Sequence, residues 1–183
     1  MEYINKEKLI NSILYFTKQV KYPGKTKICK LLFSLDFTHF KETGKSVTGL
    51  DYYAWERGPV PKSLFYKLSG DIISEEFQPY FIIIKRERLH EIFPRQEPNL
   101  TVFSKREKRI LEEIVEIFKS TKAKDMTEIS HLKGKPWDTT LKSRGLKKID
   151  YMLAIDDTAQ SINKEEAKLR QRFIQETYEM LSK

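Results

Sequence analysis

Asp36 and His39 are the polar side chains best spaced for chemistry in this sequence, three residues apart in a helical segment among Phe33, Phe37 and Phe40. That spacing puts them on neighbouring faces, where a carboxylate and an imidazole could hold a metal or move a proton. A metal would need a third ligand, and His90, His131 or a carboxylate such as Glu42 would have to supply it through the fold. The competing reading is structural. A buried carboxylate and imidazole must be hydrogen-bonded, and these two would then hold their helix against the Gly58-Pro59 turn. A phosphate-binding glycine loop, a glycine-flanked serine elbow and the paired-histidine helix of zinc proteases are all absent from the sequence. No catalytic or metal-binding residue is assigned on this basis, and no cofactor is expected.

Two segments are better suited to recognition than to catalysis. Tyr52, Tyr53, Trp55 and Arg57, followed by Gly58, Pro59, Val60 and Pro61, gather the residue types that dominate protein interfaces ahead of a rigid turn. The same aromatics could equally line a core. The second segment spans residues 133–148, where Lys133, Lys135, Lys142, Arg144, Lys147 and Lys148 face only Asp138. It is either a solvated basic face or a contact for an anionic or acidic partner. His131 and Trp137 flank the break at Gly134-Lys135-Pro136, where local packing competes with a binding role.

The elements that must position these groups can be read from periodicity and punctuation. Asn5 caps a first helix whose Leu9, Ile13 and Phe16 share a face, ending near Tyr22-Pro23-Gly24. A second helix over residues 26–43 is apolar nearly all round and stops at Gly44, which makes it central and buried. Residues 47–57 carry the β-branched and aromatic types of a strand, and Gly58-Pro59 should turn the chain. Pro61 opens a third helix through Leu64, Phe65 and Leu68 to Gly70. The runs 80–84 and 91–94 pair as a hairpin, and Ser104 with Glu107 forms a capping box ahead of Ile110, Leu111, Ile114, Val115 and Phe118. A short helix covers residues 125–132. The last, over 162–181, is amphipathic, with Leu169, Phe173, Ile174, Tyr178 and Leu181 as its apolar stripe. The expected fold is therefore α+β and predominantly α-helical, with one central buried helix and a small antiparallel sheet.

Composition limits the function classes. At 39% hydrophobic and 12% aromatic residues, the 183-residue chain is rich enough in apolar side chains to fold around a core of its own. Cys29 is the only cysteine, which excludes an internal disulfide framework and suits a reducing compartment. Neither a signal peptide nor a membrane-length apolar run is read, so the cytoplasm is the expected location and no membrane partner is expected. The net charge of +8 could attract phosphate backbones, but its even spread along the chain argues against a dedicated nucleic-acid surface.

Three blocks together carry a family resemblance. Lys30-Leu31-Leu32-Phe33-Ser34-Leu35-Asp36-Phe37-Thr38-His39-Phe40 is followed by Thr43-Gly44-Lys45-Ser46-Val47-Thr48-Gly49, and then by Tyr53-Ala54-Trp55-Glu56-Arg57-Gly58-Pro59-Val60-Pro61. These resemble the Panacea domain, also called the SocA-like antitoxin domain, and the Phe103-Ser104 helix start and the stretch from Ser130-His131 to Pro136-Trp137 look like its second half. The resemblance covers residues 1–157, leaving 158–183 as a C-terminal amphipathic helix outside it. Within it, Asp36, Phe37, His39, Gly44, Gly58, Pro59 and His131 stand as family-motif and structural positions. The resemblance implies a bacterial, archaeal or phage-associated protein that neutralises a toxin encoded beside it by direct binding rather than catalysis. Tyr52, Tyr53, Trp55, Arg57, Val60, Lys133, Lys135, Trp137, Arg144, Lys147 and Lys148 are the expected partner-binding positions. A nucleic-acid-binding regulator, a host-protease adaptor or other phage-host interaction protein, and a homodimer built through the last helix remain the alternatives.

Overall fold

In the computed structural model, which describes residues 4–70, 72–86, 89–130, 133–143 and 147–181, the chain is a helical body carrying two small antiparallel hairpins. Helix α1 (Lys6–Gln19) begins where Asn5 Oδ1 accepts the backbone N–H of Lys8 at 3.0 Å. It buries Leu9, Ile10, Ile13, Leu14 and Phe16. Helix α2 (Lys25–Thr43) is the centre of the molecule. It touches α1, helix α3 (Lys62–Lys67), helix α4 (Lys105–Phe118), helix α5 (Ala123–Ser130) and the turn Tyr151–Ala154. Ile28, Leu31, Leu32 and Leu35 are fully buried along it, as an all-round apolar helix requires. Lys27 and Lys30 are buried there too, which the sequence reading had not anticipated.

Gly44 ends α2 in the left-handed region, at φ 71°, with its N–H donating to the Phe40 carbonyl at 2.7 Å. Beside it sits helix α7 (Lys164–Leu181), whose buried Ala167 has its Cα only 3.2 Å from where a Gly44 Cβ would lie. Both the backbone conformation and this close approach demand glycine.

The first hairpin differs from the expectation. Strand β1 is only Tyr53–Trp55, and strand β2 is Gly58–Val60, in the register Tyr53↔Val60, Ala54↔Pro59, Trp55↔Gly58. The turn therefore falls one pair earlier, at Glu56-Arg57, and Gly58-Pro59 belongs to the returning strand. Proline is tolerated there because Ala54, opposite it, sends its N–H the other way, to the Lys147 carbonyl at 2.7 Å, so that no ladder donor is lost. Residues 47–52 are not strand; the N–H groups of Val47 and Thr48 go to Asp36 and that of Leu50 to the Thr48 hydroxyl.

The second hairpin, β3 (Phe81–Arg86) with β4 (Leu89–Pro94), forms as the two apolar runs suggest, and Ile92 N–H ties it to the Pro23 carbonyl. Helix α4 starts with the expected capping box: Ser104 N–H donates to Glu107 Oε2 at 2.7 Å and Glu107 N–H to Ser104 Oγ at 3.3 Å. The break at Gly134-Lys135-Pro136 is also a start, since Pro136 occupies the first turn of a short helix α6 (Pro136–Lys142) that the pattern did not reveal. In α7 the expected single apolar stripe splits. Ile174 and Tyr178 are half-buried, whereas Leu169 and Phe173 are 64% and 70% exposed and Leu181 is exposed as well. The result is a predominantly α-helical α+β fold, as expected.

Candidate functional site

Asp36 and His39 do not face each other. The Asp36 carboxylate is wholly buried: Oδ1 accepts the N–H groups of Val47 and Thr48 at 2.8 and 2.7 Å, and Oδ2 accepts the Thr48 hydroxyl at 2.5 Å and the Tyr52 hydroxyl at 2.7 Å. Burial pushes its pKa up to about 6, against the pull of four hydrogen bonds that favour the charged form. His39 Nδ1 donates to the Lys45 carbonyl at 2.7 Å, and burial lowers its pKa. Both residues thus shape the 43–52 loop and do not, as the sequence had suggested, press α2 on the Gly58-Pro59 turn. Among the described residues no cluster of three His, Cys, Asp or Glu side chains could hold a metal.

Tyr52 belongs with Asp36. It is fully buried, with its ring edge-on to Phe33 at 5.3 Å and Phe37 at 5.8 Å, so its expected partner contact is corrected to a core role. Val60 and Trp137 are likewise buried. Trp137 nevertheless reaches the hairpin: its indole N–H donates to the Trp55 carbonyl at 2.8 Å. From the other side the buried ammonium of Lys30 donates to the Arg57 carbonyl at 3.0 Å. The β1–β2 hairpin is therefore held at two of its carbonyls by side chains of nearly buried residues, Trp137 and Lys30.

What the turn presents is partly aromatic and partly cationic. Trp55 is half-buried and meets Phe65 edge-on at 5.3 Å, with Tyr66 at 6.2 Å and 59% exposed. Arg57 stands exposed at the tip, and Tyr53 is half-buried on the outer side. Behind Trp55 lies a cavity of about 500 Å³, bounded by Cys29, Lys30, Phe65, Leu141 and Lys147. Cys29 is buried there, and burial pushes its thiol up to about 12, which keeps it un-ionised.

The basic segment comes to the same place. Residues 147–149 run antiparallel beside β1, with Ile149 N–H donating to the Tyr52 carbonyl at 2.8 Å and Tyr53 bridged to Lys148. Lys147 and Lys148 are consequently exposed next to the hairpin, Lys148 paired with Asp51 at 2.6 Å. Lys133 and Lys135 are exposed just before α6. Two segments about eighty positions apart in sequence thus meet around Trp55. Arg144 and His131 lie outside the described residues. Sequence reasoning missed Phe65 and Tyr66, read only as helix, and Lys30, whose burial no spacing rule signals. The adjacent aromatic pair one turn after Pro61 was the available clue.

One family model, that of the Antitoxin SocA-like, Panacea domain, matches residues 28–138, which takes in most of α2, both hairpins and the start of α6. No curated protein and no solved structure matches the chain.

Proposed function

The chain belongs to the SocA-like Panacea antitoxin domain family, and from that premise we propose that it neutralises a toxin encoded beside it by direct protein-protein contact. The contact surface is the tip of the β1–β2 hairpin and its surroundings: Trp55, Arg57 and Tyr66, flanked by Lys147. One observation carries the reading. A half-buried Trp55 and an exposed Arg57, with the exposed Tyr66 of α3 beside them, stand on a hairpin whose carbonyls Lys30 and Trp137 hold. Aromatic residues and arginine supply most of the binding energy at protein interfaces, and a turn already held rigid loses little entropy on binding. The basic flank adds long-range attraction for an acidic partner surface.

Co-expression with the product of the adjacent gene tests this. Growth rescue and co-purification with the wild-type chain support the reading. A harmless neighbour, or a toxic one that the chain neither rescues nor binds, rejects it.

A further inference from the structure

A second cavity, about 1010 Å³, lies on the other side of Arg57 from the one behind Trp55. Its walls come from the start of α2, the inner face of the β3–β4 hairpin, the end of α3 and the first turn of α5. The lining has two parts of different chemistry. The exposed Tyr22 and the half-buried Ile83 supply an apolar surface, backed by the buried Leu68 and Ile92. Lys25, Arg57, Lys122 and Lys124 line another part, with Glu128 the single carboxylate among the described lining residues.

Among the described residues these four cations have no carboxylate partner, unlike several lysines elsewhere. Lys8 meets Glu107 at 2.6 Å, Lys41 meets Asp156 at 2.7 Å, Lys67 meets Glu76 at 2.6 Å and Lys148 meets Asp51 at 2.6 Å. Around the cavity, Lys25 Nζ meets, among the described residues, the Ser69 hydroxyl at 2.8 Å and the Phe65 ring at 4.0 Å. Among the described residues no ion pair engages Arg57, Lys122 or Lys124. A fifth positive charge lies beneath them. Lys27 is wholly buried, and its ammonium is held by the carbonyls of Lys21, Thr121 and Lys119 at 2.8, 2.7 and 3.4 Å, with no carboxylate among those partners. Burial lowers its pKa to about 8, as expected of a cation that lacks a counter-charge.

Like charges gathered without counter-ions repel one another, and the repulsion is relieved by a ligand that brings the negative charge with it. A purely ionic ligand would leave Tyr22 and Ile83 wet. A ligand with several negative charges at one end and a flat, weakly polar body at the other covers both parts, which is the usual character of a small-molecule pocket. We propose that this cavity binds a nucleotide carrying two or more phosphates, its base against Tyr22 and Ile83 and its phosphates among Lys25, Arg57, Lys122 and Lys124.

Calorimetric titration of the full chain with ATP in about 50 mM salt is the test, since phosphate contacts weaken steeply as salt rises. Adenosine, inorganic pyrophosphate, a hexaglutamate peptide and a short single-stranded RNA serve as separate arms. The expected result is a dissociation constant on the order of 10 μM for ATP, with weaker binding in every other arm. The double variant Lys122→Ala/Lys124→Ala should bind ATP at least about tenfold more weakly with an unchanged melting temperature, because removing two charge-assisted contacts costs that much or more. Lys133→Ala/Lys135→Ala should leave ATP binding as it is. The assignment is overturned if ATP gives no heat up to about 1 mM, if the Lys122/Lys124 double variant binds like wild type, or if the Lys133/Lys135 control loses affinity equally. It is also overturned if pyrophosphate, the peptide or the RNA binds as tightly as ATP.

Discussion

Replacing Asp36 with alanine strands four donors in the interior: the N–H groups of Val47 and Thr48 and the hydroxyls of Thr48 and Tyr52. An unsatisfied buried donor costs about 1–3 kcal/mol. Two of these are hydroxyls that can rotate toward other acceptors, and the vacated space could admit a water, so the lower end of the range applies and the total is roughly 4 kcal/mol. That is a large share of the about 5–15 kcal/mol that separates folded from unfolded domains. For a chain of this size it corresponds to a melting point lowered by roughly 8–16 °C. Two companion variants separate the hydrogen-bond argument from mere loss of volume. Asp36→Asn keeps one acceptor oxygen for the two backbone donors and should cost about 1–2 kcal/mol. Tyr52→Phe removes a donor together with its bond and should cost about 1 kcal/mol. Urea and thermal melts followed by circular dichroism measure all three. The reasoning is refuted if Asp36→Ala lies within about 1 kcal/mol of wild type, or if Tyr52→Phe is as damaging as Asp36→Ala.

Three further outcomes follow from the same contacts. Gly44→Ala forces a side chain into the left-handed region and puts its Cβ 3.0 Å from Ile162 Cδ1 and 3.2 Å from Ala167 Cα. It should cost about 1–2 kcal/mol and speed protease cleavage ahead of α7, read by melts and limited proteolysis. Trp137→Phe loses the bond to the Trp55 carbonyl, about 1 kcal/mol, and should quicken amide exchange at the β1–β2 turn in hydrogen-exchange mass spectrometry. The two buried groups on α2 act in opposite senses with pH. Asp36, raised from 3.8 to about 6, binds its proton more tightly in the folded state, so its contribution is complete below pH 3.8 and is lost as pH rises through about 6. His39, lowered from 6.5, contributes above that value and loses its contribution as pH falls. Asp36→Asn should therefore remove the decline in stability with rising pH between 3.8 and 6, measured by urea melts across that range.

Much of the fold was legible because its signals are local. The capping box at Ser104, the Asn5 cap, the Gly44 stop and the apolar runs of the second hairpin each need only a few neighbouring residues, and all appear where the pattern placed them. What was not legible depends on residues far apart. The strand expected over 47–57 is only three residues long, and at its start Asp36, more than ten positions upstream, takes the backbone donors of Val47 and Thr48. Tyr52 carries an interface-rich residue type, yet its hydroxyl is the fourth donor to that same carboxylate. The stripe on α7 followed helical spacing correctly but did not reveal that the helix docks through Ala167 against Gly44, leaving Leu169 and Phe173 outside. Lys27 and Lys30 look like surface residues in the sequence and prove to be buried ties, because carbonyls from distant segments converge on their ammonium groups.

The grouping of Trp55 with the residues 147–149 segment could not be read from spacing, and it is that grouping which sets Lys147 beside the hairpin. Its role is tested most directly by the dissociation constant between the purified chain and the product of the adjacent gene, measured by calorimetry for wild type and for the Trp55→Ala/Arg57→Ala pair. The account predicts saturable binding by wild type and a loss of about 2 kcal/mol or more, roughly thirtyfold or greater, in a variant whose melting curve shows it to be folded. Absence of binding by wild type, or a folded double variant that binds with wild-type affinity, would contradict it.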